Sequence, residues 1–186
     1  MRRNPVFWSS AALLAVFILM SVFPQLFTST DPARAILERS REKPSSEAWF
    51  GRNIQGYDIY ARCIYGARAS ILVGLLTTIS VVLVGGAVGV FAGYKGGWLD
   101  TIIGRSTDLL LAFPFFLMLI ALSPVLTQRL EAAGLSPEAA RIGYLILVFA
   151  FFGWPYLARL IRGQVLSLRE REFVEAAVAS GAPTRR

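Results

Sequence analysis

At 186 residues, 55% apolar, 17% charged and with a net charge of +7, the chain carries four stretches without any Asp, Glu, Lys or Arg: 27 residues between Arg3 and Asp31, 26 between Arg68 and Lys95, 20 between Asp108 and Arg129, and 17 between Arg141 and Arg159. A membrane-spanning helix needs about 20 apolar residues, range about 17–25, so this pattern excludes a soluble globular domain and defines an all-α polytopic membrane protein. The lack of histidine, the single Cys63 and the absence of any GxxxxGK[ST] exclude imidazole chemistry, thiolate metal sites, internal disulfides and a P-loop.

Residues 1–27 read as an N-terminal transmembrane helix, with its apolar part at about Val6 to Phe27 behind Arg2 and Arg3. That run exceeds the roughly 7–15 residues of a secretory h-region, so an uncleaved span is expected. Residues 28–68 form a polar, extracytoplasmic loop. Its second half, Trp49 to Arg68, mixes aromatics, glycines and charges, and is expected to be ordered against the membrane face.

The second span is expected over 69–94. Gly85, Gly89 and Gly93 recur every four residues on one side of it. Lipid tails supply no hydrophobic drive between helices, so such a stripe is a helix-packing surface that lets backbones approach. Lys95-Gly96-Gly97 then breaks the helix. Trp98, Leu99, Ile102 and Ile103 predict a short interfacial segment, apolar on one face and carrying Asp100 and Arg105 on the other. The third span is expected over 109–127, kinked by Pro114 near Phe113. A polar connector follows, with a helix start at Ser136-Pro137. The fourth span is expected over 142–158, with Trp154-Pro155-Tyr156 in the aromatic belt near its end.

After it, residues 163–186 read as an amphipathic segment. Leu166, Phe173, Val174, Ala177 and Val178 recur at helical spacing, and Gly181 followed by Pro183 marks a stop. It suits a lipid surface or a soluble partner. Glu170, Glu172 and Glu175 disfavour an anionic surface and favour a partner protein. Glu175 offers a charge-assisted bond, Ala176 and Ala177 permit close approach, and Gly181 allows a sharp turn. A helix that merely caps the fourth span is the simpler alternative.

Counting cations gives ten on the side of the chain ends and nine on the other, so charge alone does not orient the protein. The 19 Lys and Arg flank apolar runs, where lipid headgroups rather than nucleic acid are the expected neighbours. Asp108 near a membrane face is the one hint of intramembrane catalysis. No nucleophile, histidine or second carboxylate stands at a recognisable spacing from it.

Five motifs occur in order: GARAS at Gly66, the glycine-rich run ending AGYKGGWLD at Asp100, DLLLAFP at Asp108 to Pro114, WPYLARLIRGQVLSLREREFVEAA from Trp154, and EAAVASG at Glu175 to Gly181. Together they resemble the second permease of bacterial dipeptide, oligopeptide and nickel ABC importers, the last being the family's EAA segment. The resemblance implies a type I ABC importer permease (MetI-like) fold, incomplete at the C-terminus, with residues 69–186 as a partial permease domain. It implies a non-enzymatic transport subunit of the inner membrane with both ends cytosolic. Its partners would be a second permease, two ATP-binding subunits and an extracytoplasmic solute-binding protein. No cofactor is expected on this chain, ATP and Mg belonging to the ATPase. Glu172, Glu175, Ala176, Ala177 and Gly181 would couple to that ATPase.

There are two departures. The family's outer stretch reads close to FGTDxxGRDxxSR, whereas this chain has FGRNIQGYDIYAR, with Arg52, Asn53 and Tyr57 at the changed positions. Members of the family also continue beyond the EAA segment into two further spans. The alternative expectation is therefore a truncated, non-transporting fragment that only assembles with or regulates a membrane complex.

Overall fold

The computed structural model describes residues 4–181. It contains six α-helices and, among the described residues, no strands: α1 (Pro5–Val22), α2 (Ile59–Lys95), α3 (Gly97–Ala112), α4 (Phe115–Ala132), α5 (Pro137–Arg169) and α6 (Glu172–Ala179). Four of them, α1, α2, α4 and α5, are long and apolar enough to cross a membrane. The chain divides into two compact units, 1–72 and 73–186.

In the first unit, Asn4 caps α1, its Oδ1 accepting a bond from the Val6 N–H at 3.0 Å, and Pro5 occupies the first turn, where its missing N–H is harmless. The helix stops at Val22, short of the expected Phe27. Pro24 pushes Phe23 out of the helical region, to φ −125° and ψ 62°, and a 3-10 turn Pro24–Leu26 follows.

More of the loop between α1 and α2 is ordered than its aromatic half. A backbone bridge from Ala35 to Tyr57 ties the first half of the loop to the second, and another joins Arg52 to Asp58 within the second half. Gly56, at φ +80°, lies so close to the backbone of Ile36 that no Cβ fits. Arg39 donates to Glu42 and Glu47, 2.6 Å each, and the Arg39 guanidinium holds the Glu42 carboxyl below its usual range. Trp49 and Phe50 stack around Tyr60, centroids 5.0 and 5.3 Å away, and the Tyr60 hydroxyl donates to the Phe27 carbonyl at 3.2 Å.

Helix α2 begins at Ile59, ten residues before the expected start, capped by Asp58, whose Oδ1 accepts from the Ala61 N–H at 3.0 Å. Arg62 and Arg68 end the apolar run but do not interrupt the hydrogen-bond ladder. The 37 residues extend about 56 Å, well past the ~30 Å hydrocarbon core.

In the second unit, Pro114 does not kink a continuous third span. Phe113 is extended, at φ −74° and ψ 132°, so α3 ends at Ala112 and α4 starts at Phe115. A residue before proline avoids the helical region, and a proline at a helix N-terminus loses no bond. Ser136 caps α5 as its sequence predicts, accepting from the Ala139 N–H at 3.3 Å. Helices α4 and α5 form an antiparallel pair. The Tyr144 hydroxyl donates to the Leu119 carbonyl at 3.1 Å, and Phe115 packs on Phe149 and Phe152. Helix α5 runs to Arg169, eleven residues beyond the expected end, leaving Trp154 and Pro155 inside the helix rather than near its terminus.

Candidate functional site: the α5 seam and the terminal helix

The stripe of glycines on α2 meets α5 of the same chain. A Cβ at Gly85 would lie 2.7 Å from the Trp154 carbonyl oxygen, at Gly89 2.6 Å from that of Ala158, and at Gly93 2.8 Å from Val165 Cβ. Gly86, one residue off the stripe, would meet only Ile161 Cδ1 at 3.8 Å. Ala92 and Ala158 are buried in the same seam. The α2 backbone thus lies against α5 over about two turns, at positions on α2 where even a Cβ does not fit.

The far half of α5 is clasped to α3. Arg159 pairs with Asp108 and donates through Nε to Thr107 Oγ1 at 3.3 Å. Thr107 is 1% exposed, and its own hydroxyl donates to the Gly104 carbonyl at 2.7 Å. Arg162 forks onto both carboxylate oxygens of Asp100. Arg169 reaches back to the Tyr94 carbonyl at 3.3 Å, linking the same segment to α2. These pairs explain why α5 continues past Ala158: its cations are neutralised by neighbouring carboxylates instead of marking a boundary. They also give Asp108 a partner, the Arg159 guanidinium.

The expected orientation of α3 needs correction here. Asp100 faces α5 rather than solvent, while Trp98 (70% exposed), Ile102 and Leu109 point outward on the same side as Arg105. Leu99 and Ile103 are half-buried, and an outer side that carries Trp98, Ile102 and Leu109 with Arg105 suits a helix whose outer surface meets the membrane interface. Through its bond from Arg162, the Asp100 carboxyl titrates below the ordinary carboxylate range. The contribution of the pair is therefore complete above that range and is lost as pH falls through the lowered titration of Asp100.

Beyond Arg169 the chain turns at Glu170 and Arg171, and α6 starts afresh. Glu172, Glu175, Ala176 and Ala177 are all exposed, as is Phe173 at 66%. Neither carboxylate has a partner among the described residues. Gly181 follows at φ +77°, a left-handed conformation that closes a helix and that side chains resist. The Val178 side chain and residues 182–186, with Pro183, lie outside the described residues. Among the described residues no acidic, cysteine or histidine cluster could hold a metal.

Four apolar helices, one of them held by glycine packing and ion pairs and followed by an eight-residue helix that is exposed among the described residues, define an integral membrane protein. Residues 85–186 match the family of binding-protein-dependent transport system inner membrane components, and the chain belongs to that family. It is similar to the dipeptide transport system permease protein DppC of Alkalihalophilus pseudofirmus, 35% identical over 97% of this chain and 56% of the relative. It is also similar to the oligopeptide transport system permease protein OppC of Bacillus subtilis, 34% identical over 100% and 57%. A probable peptide ABC transporter permease of Sinorhizobium fredii is 38% identical over 97% and 57%. The chain spans somewhat more than half the length of these relatives.

Proposed function

We propose that the protein acts as a permease subunit of an ATP-driven ABC importer for peptides or related small solutes. The observation that carries this reading is α6, an exposed helix at the end of a clasped membrane helix in a chain whose sequence holds no P-loop. Such a chain takes its mechanical work from a separate ATPase, and α6 is the element with the form to receive it. The remaining partners in this reading are a second permease and an extracytoplasmic solute-binding protein. Support comes from family membership and from relatives that are peptide transport permeases. Gentle detergent extraction and affinity capture test it. A second permease and an ATP-binding protein should co-purify, and capture of the chain without any nucleotide-binding protein would contradict the proposal.

In this reading both chain ends are cytosolic and residues 28–58 face outward. Cys63, the only thiol, is exposed on the second turn of α2 rather than in the loop. A membrane-impermeant maleimide should label it in intact cells. Labelling that requires broken membranes would reverse the orientation.

A further inference from the structure

In the first unit, Asp58 is only 3% exposed, yet its carboxylate has no cationic partner among the described residues. Its one side-chain bond comes from the Ala61 N–H. Arg52 sits across a backbone bridge from it but sends its guanidinium to Glu42 and to the Gly56 carbonyl, 3.2 Å each. Arg62, one turn along α2, lies instead over the Tyr57 ring, 4.6 Å from its centroid. Buried charges are ordinarily paired, and a helix N-terminus supplies only about half a unit of compensating charge.

Asp58 lines a cavity of about 200 Å³. The Trp49 and Tyr60 rings form an aromatic wall, Thr28 to Thr30 contribute hydroxyls and backbone, and Glu47 adds a second carboxylate, engaged by Arg39. At about 30 Å³ per water the space takes roughly six or seven water-sized groups, the bulk of a short alkylammonium ion. Two carboxylates are too few for the clusters that hold metals, whereas aromatic faces beside a carboxylate favour an organic cation.

We infer that this cavity is a binding site for a primary ammonium group on a short apolar stem, with Asp58 as its counter-ion and Trp49 and Tyr60 as its walls. The inference does not rest on the transport reading, since it concerns equilibrium binding to this chain alone. The ammonium could belong to a peptide amino terminus or to a lysine side chain, and the test separates the two.

The test is tryptophan fluorescence of the whole chain in detergent, titrated with n-butylammonium chloride, with neutral N-butylacetamide and with L-alanyl-L-alanine. Butylammonium should give a saturable change that Trp49→Phe abolishes, and N-butylacetamide should give none. Asp58→Asn keeps a good helix cap while removing the charge, so helix content by circular dichroism should hold. Butylammonium affinity in that variant should fall by about tenfold or more, as expected for loss of a charge-assisted bond. A matching, Asp58-dependent response to the dipeptide assigns the site to peptide amino termini, and a response to butylammonium alone assigns it to lysine-like stems. Absence of saturable binding, or equal binding of the neutral amide by the unaltered chain, would overturn the inference without help from any variant. Unchanged affinity in Asp58→Asn would overturn it as well.

Discussion

Gly89→Leu is expected to drive α2 away from α5 and to unfold that half of the protein at markedly lower temperature. A Cβ at this position already falls 2.6 Å from the Ala158 carbonyl oxygen and 3.1 Å from Ala158 Cα, backbone atoms that cannot rotate aside. A leucine adds three more carbons to the same clash. Forcing extra methylenes into packed interiors typically costs about 1–3 kcal/mol, and more where backbone must shift. The loss should show as a lower midpoint in thermal unfolding in detergent and as reduced recovery of the subunit from membranes. Gly86→Ala is the control, because its Cβ would meet only the end of Ile161 at 3.8 Å and, with the better helix propensity of alanine, should not lower the midpoint. Equal tolerance of both substitutions would mean that the seam is looser than its geometry shows. The seam lies within one chain, so any fall in assembly with partner subunits would follow from the folding defect.

Glu175→Lys and Gly181→Val are expected to leave the membrane-inserted fold intact and to abolish substrate-stimulated ATP hydrolysis in the assembled transporter. Glu175 is exposed and has no partner among the described residues, so reversing its charge disturbs no internal contact among them. Toward a docked protein the same carboxylate can make a charge-assisted bond worth about 1.5–3 kcal/mol, and a lysine would replace attraction by repulsion. Gly181 at φ +77° ends α6 in a conformation that a β-branched residue strongly resists. Among the described residues no atom lies within 4 Å of a Cβ built there, so the expected effect of valine is on backbone direction. Hydrolysis assayed with and without substrate, in proteoliposomes holding all subunits, reads the outcome. Normal stimulation in both variants would remove α6 from the coupling.

The four apolar helices, the Ser136 cap, the glycine stripe and the final helix are all legible in the sequence, because each is written in local spacing. The ends of the helices are less so. Charge marks where an apolar run stops, but α2 begins ten residues before its run and α5 ends eleven after, since backbone hydrogen bonding continues through Arg62, Arg68, Arg159 and Arg162. In α5 the pairs that favour this continuation join residues 62 and 51 positions apart, Asp100 with Arg162 and Asp108 with Arg159. No local pattern encodes such a pairing. The outward turn of Trp98 and the inward turn of Asp100 depend on the same pairs. A proline in an apolar run is likewise ambiguous: Pro124 and Pro155 lie inside helices, while Pro114 separates two of them. Nor does the spacing of the loop between α1 and α2 announce its folded form, which rests on the contact of Gly56 with Ile36 and on the burial of Arg52 against Glu42.

Site-specific crosslinking from α6 tests the central claim most directly. A photoreactive phenylalanine analogue at position 173, in the subunit expressed with its native partners, places the label on an exposed aromatic side chain of the proposed docking helix. Irradiation of membranes should join the subunit to an ATP-binding protein, in a yield that changes when nucleotide is added. Adducts with lipid alone, or with proteins that bind no nucleotide, would contradict the account.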